Sequence, residues 1–86
     1  MRVKVDEVGQ GMHPSEVLIK IETVQGPQEL VVDKRSLRQN TIEVGYPIAQ
    51  QEKYRLIELP TETTGGVWRV WVDEKILSGE AWEAAE

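Results

Sequence analysis

Eighty-six residues, no cysteine and a formal charge of −5 set the bounds of this chain. A chain this short holds one hydrophobic core, and without cysteine it has no disulfides, no thiolate chemistry and none of the usual zinc sites. Its acidity weighs against phosphate binding, because affinity for nucleic acid rests mainly on neutralising phosphates.

The charge is uneven. Residues 73–86 hold Asp73, Glu74, Glu80, Glu83 and Glu86 against Lys75 alone, a local −4 out of −5, so the remainder sums to only −1. The near-neutral body softens the argument against nucleic acid. At the N-terminus, Asp6 and Glu7 precede any apolar stretch, unlike a signal peptide. No apolar run approaches the ~20 residues of a spanning helix. The expectation is a cytoplasmic protein with no membrane partner.

In chain order, Arg2 to Asp6 alternates charge with valine and predicts a first strand, which Gly9 and Gly11 break. His13-Pro14-Ser15 marks a loop. Glu16 to Val24 is the clearest strand, with Val17, Ile19 and Ile21 inward and Glu16, Lys20 and Glu22 outward, although Leu18 and Val24 interrupt the polar face. Residues 25–28 form a turn and Glu29 to Asp33 returns, making a hairpin. Asp33 to Asn40 is a loop or a single helical turn. Thr41 to Ile48 resumes alternation, with Pro47 marking an edge or a bulge.

Lys53 to Leu59 and Val67 to Asp73 form a second hairpin around residues 60–66. Both tracks of its final strand are bulky: Trp68, Val70 and Val72 on one face, Val67, Arg69 and Trp71 on the other. Pairing Leu59 with Trp68 and Ile57 with Val70 sets Glu58 opposite Arg69, a favourable cross-strand pair. A one-residue slip would exchange the faces. This register leaves Tyr54, Leu56 and Trp71 together on the outer face. Residues 78–86 form an acidic tail with a marginal helix over 78–85.

The predicted core is Val3, Val5, Val17, Ile19, Ile21, Leu30, Val32, Ile42, Val44, Ile48, Ile57, Leu59, Trp68, Val70 and Val72. The predicted fold is all-β: one domain over 1–77, a five- or six-stranded antiparallel barrel of SH3-like size and connectivity, with the short C-terminal tail beyond it. The SH3-like label is an analogy of strand count and length, and a fold alone assigns no function.

Chemistry is sparse. His13 is the lone imidazole and reads as a surface-loop residue; Ser15 nearby has no identifiable base and orienting group. Adjacent carboxylates such as Asp6-Glu7 and Asp73-Glu74 would point to opposite faces of a strand. Thr63-Thr64-Gly65-Gly66 could cradle an anion with backbone amides, but it lacks the lysine and spacing of a phosphate loop, and a hairpin turn explains it better. No catalytic residue, metal ligand or cofactor is predicted, and the chain reads as a non-enzyme.

Two surfaces remain. Tyr54, Leu56, Arg69 and Trp71 form the preferred partner-binding face, since Trp, Tyr and Arg are enriched at protein interfaces. The competing explanation for that face is a second core layer. Lys34, Arg35 and Arg38, with Lys53 and Arg55 as neighbours, form a candidate anion or nucleic-acid contact. The leading expectation is an interaction module that binds a protein partner or itself. A nucleic-acid-binding barrel and an accessory subunit of an enzyme are the alternatives.

Overall fold

The most regular alternation in the sequence builds the longest ladder. In the computed structural model, which describes residues 1–78, strands β3 (Glu16–Thr23) and β4 (Gly26–Asp33) pair antiparallel from Glu16↔Asp33 to Thr23↔Gly26. Val17, Ile19 and Ile21 of β3 and Leu30 and Val32 of β4 are buried, as the period-two pattern requires. The turn is Val24-Gln25 rather than 25–28, so β4 begins three residues earlier than predicted. Pro27 fits inside it because it pairs with Glu22 at a position whose nitrogen faces away from β3 and has no ladder bond to donate.

The first strand divides in two at buried Val5. Strand β1 (Arg2–Lys4) lies between β5 (Thr41–Glu43) and β9 (Leu77–Ser78), while β2 (Asp6–Gln10) pairs with β3. Gly9 does not break β2: the register shifts between Glu7 and Gly9, and a bulge absorbs the irregularity. Gly11 has a steric role. A Cβ there would lie 2.4 Å from the Glu16 Cβ and 3.0 Å from the Glu16 carbonyl carbon, so the close approach of the chain at the end of β2 needs glycine.

The third sheet holds the last hairpin. Strand β6 (Ala49–Gln51) pairs with β7 (Tyr54–Glu58), which pairs with β8 (Arg69–Asp73). Ile57↔Val70 and Glu58↔Arg69 are aligned as the charge argument predicts. The Leu59 amide adds a backbone bond to the Trp68 carbonyl at 2.7 Å. Of the predicted strand 41–48 only residues 41–43 form a strand, β5, and β6 begins just beyond it at Ala49. Residues 44–48 between them are irregular, with Pro47 in the break.

Among the described residues fourteen apolar side chains form one core shared by all three sheets. Thirteen were predicted. Ile48 and Trp68 were predicted there too, but they are 51% and 50% exposed, because the chain is no longer in a strand at either residue. Leu77 takes a core place that alternation could not assign, since a 3₁₀ turn (Glu74–Ile76) resets the phase just before it. The architecture is therefore all-β with three small antiparallel sheets, and among the described residues the ladders do not close into a ring. Ser78 belongs to β9 rather than to a tail helix, and the rest of the predicted helix lies outside the described residues.

Two strands end in the same device. Asp33, the last residue of β4, and Asp73, the last of β8, each cap a three-residue 3₁₀ turn (Lys34–Ser36 and Glu74–Ile76), accepting from the amides of Arg35 at 2.8 Å and Lys75 at 3.0 Å. Both carboxyls sit below the ordinary value of 3.8. Asp33 is lowered by the Arg35 side chain and then its backbone amide; Asp73 is lowered chiefly by the Lys75 amide, with Lys53 assisting. Because the folded values are depressed, this stabilisation is present above the unfolded value and is lost as pH falls through the folded ones. Urea midpoints should therefore decline below about pH 4. An Asp33→Asn, Asp73→Asn double variant should show a shallower decline, and an unchanged slope would remove these caps as its source.

Candidate interaction face

Strand parity places every residue of the preferred face. On the outer side of the third sheet Leu56 is opposite Trp71, Tyr54 opposite Asp73, and Ala49 continues the Leu56–Trp71 row onto β6. The other side of the same strands carries Ile57, Val70 and Val72 into the core. Tyr54, Leu56 and Trp71 are half-buried and none belongs to the core cluster. Arg69 is exposed and pairs with Glu58 at 3.1 Å. At the opposite margin Lys53 pairs with Asp73 at 3.6 Å and sits 5.5 Å from the centre of the Tyr54 ring. The face is thus an apolar row framed by two ion pairs, Arg69–Glu58 exposed and Lys53–Asp73 partly covered at its carboxylate.

A second element completes it. The β3–β4 turn reaches the edge of β8, where the Val24 amide donates to the Trp71 carbonyl at 2.9 Å. Between turn and strand lies a groove of about 190 Å³, lined by Val24, Gln28, Leu56, Val67, Arg69 and Trp71 among others. Val24 is 55% exposed and Val67 37%. Neither was singled out for binding from sequence, although both carried a signal: Val24 interrupts the polar face of β3, and Val67 shares the track of Trp71.

The loop before β8 is held firmly. Thr63 is buried, and its hydroxyl accepts from the Val67 amide at 3.1 Å. The amides of Thr63, Thr64 and Gly66 donate to the carbonyls of Val67, Glu29 and Thr63. With those amides engaged, the segment is a structured turn and not an open anion cradle, and Gly66 supplies its φ of +83°.

The basic residues divide into two groups with separate partners. Lys34, Arg35 and Arg38 are exposed, Arg35 pairing with Asp33 at 3.1 Å. Arg35 and Arg38 line a shallow depression of about 250 Å³ together with Arg2 and Glu43. Lys53 lies on the β6–β7 turn with Asp73. Arg55 departs furthest from the expectation of a surface cation. It is buried, and its guanidinium donates to the Glu52 and Tyr54 carbonyls at 2.9 and 3.0 Å and to the Glu74 carboxylate at 2.7 Å. A group enclosed in that way is tied into the fold by those three acceptors.

His13 and Ser15 are exposed in the β2–β3 loop. The His13 amide donates to the Glu16 carboxylate at 3.2 Å, and the Ser15 carbonyl accepts from Lys34. Among the described residues no three His, Asp or Glu side chains gather as a metal site, and no helix is long and apolar enough to cross a membrane. No protein-family model, curated protein or solved structure matches the chain.

Proposed function

We propose that this protein is a non-enzymatic interaction module that docks a protein partner, or a second copy of itself, through the outer face of the β7–β8 hairpin. The observation that carries the reading is the groove beside Trp71. It sets an aromatic ring, four aliphatic side chains and an exposed arginine around a concave site beside a sheet, the arrangement in which interface anchors concentrate. Half-burial of Trp71, Leu56 and Tyr54 supports the same reading: enough of each ring or chain is packed to fix its position, and enough is open to contact a partner.

The nucleic-acid alternative has less support, since Arg55 is enclosed, Arg35 is paired with Asp33, and Lys53 lies with a different set of partners. The site is tested with a phage-displayed random peptide library selected on the immobilised protein. Selected peptides should lose at least about tenfold in affinity against a folded Trp71→Glu variant and keep full affinity for Lys34→Glu. Peptides insensitive to Trp71→Glu and Leu56→Glu would place the preferred docking site elsewhere and overturn the reading.

A further inference from the structure

Sheet margins differ in how they are guarded: with β9 left aside, β6 is the exception among the edge strands of the described residues. An exposed strand edge is a template for another strand unless charge, proline, a bulge or a covering segment blocks it. Strand β2 carries Asp6, Glu7 and a bulge. Strand β4 carries Pro27 with its nitrogen turned outward, and the Thr64 amide occupies the Glu29 carbonyl. Strand β5 carries Glu43, ion-paired to Arg2. The outer margin of β8 is taken by the Val24 amide on the Trp71 carbonyl.

Strand β6 is Ala49-Gln50-Gln51, with no charge, no proline and two exposed glutamines. In the two-residue hairpin closed by Gln51↔Tyr54, Gln50 and Arg55 form the pair that exchanges no ladder bonds. The Gln50 N–H and C=O therefore point away from β7, and among the described residues no backbone group from elsewhere in the chain bonds to them.

We propose that the β6 edge pairs antiparallel with β6 of a second copy, about a two-fold axis at Gln50. The occupant follows from the chemistry of the edge. An extended backbone matches its outward N–H and C=O, and a two-fold at Gln50 sets Gln50 against Gln50 and Ala49 against Gln51. No like charges meet at the axis, although each copy carries −5 overall. The result joins the two three-stranded sheets into one of six strands. Both Leu56–Trp71 rows stay uncovered, so the dimer presents two docking faces side by side to a partner. Three residues of edge give less than the roughly 800 Å² per partner of a stable interface, so the dimer is weak and forms at high concentration. Added salt should strengthen it by screening the repulsion between acidic bodies.

Sedimentation equilibrium of the 86-residue chain from roughly 10 µM to 1 mM tests this, the upper limit being set by the affinity of a small interface. A monomer–dimer equilibrium that tightens with salt is expected. Gln50→Glu and Gln50→Lys should each weaken it several-fold, and an equimolar mixture of the two should restore it. Gln50→Pro should leave a folded monomer, as Pro27 is tolerated at an equivalent outward position on β4. Trp71→Glu should leave the dimer intact. A wild type that is monomeric at the top of that range overturns the proposal. So does a dimer that ignores all three Gln50 substitutions; if Trp71→Glu alone dissolves it, the copies meet through the outer face instead.

Discussion

Glu74→Ala lowers the stability of the protein by about 2–3 kcal/mol, whereas Arg55→Met costs roughly 1 kcal/mol or less. The asymmetry comes from which charge is enclosed. The Arg55 side chain is 7% exposed and that of Glu74 is 39% exposed. Removing the carboxylate takes the 2.7 Å charged acceptor away from a guanidinium inside the fold, while the Glu52 and Tyr54 carbonyls that it also bonds are neutral. Removing the arginine leaves a carboxylate that water already reaches, and a methionine of similar length can fill the space beside Ile57 and Val72. Partial access of solvent to Glu74 keeps the first figure below the 3–5 kcal/mol typical of a fully buried pair. Urea unfolding of the two variants decides it. Equal costs, or a larger cost for Arg55→Met, would mean that packing of the arginine stem outweighs the fate of its charge.

The second large effect separates two neighbours on one strand. Val72 is fully buried and Trp71, one residue earlier, is half-buried on the opposite side of the sheet. A carboxylate placed at Val72 enters an apolar core with no partner, a penalty of several kcal/mol that consumes most of the stability of a small domain. Placed at Trp71, the same carboxylate has a route to solvent. It forfeits the packed part of the indole, about 1–2 kcal/mol, and the fold survives.

Much of the fold was legible because the side-chain period of a strand is fixed by backbone geometry. The β3–β4 hairpin, the core positions from Val3 to Val32, and the alignment of Glu58 with Arg69 all follow from alternation and one charge pair. The misses have physical causes. Trp68 lies on the inward track of Val70 and Val72, but the strand begins at Arg69, so parity no longer holds at Trp68. Leu77 follows a 3₁₀ turn that breaks the count. Charge alone marks Arg55 as a surface residue, although it shares the inward track of Ile57 and Leu59. Parity there is the better guide, and Glu74, just after β8, is the missing counter-charge. For the candidate site, Tyr54, Leu56 and Trp71 were grouped by the same parity. Val24 and Val67 were not added to them because the approach of the β3–β4 turn to β8 is a long-range contact that periodicity does not encode.

Everything proposed about docking requires the outer side of the last hairpin to be a surface of the folded protein. Circular dichroism with urea titration of Trp71→Glu beside Val72→Glu tests that directly. A folded, cooperatively unfolding Trp71→Glu protein next to an unfolded Val72→Glu chain is the predicted pair. Collapse of both would make Trp71 a core residue and remove the docking face.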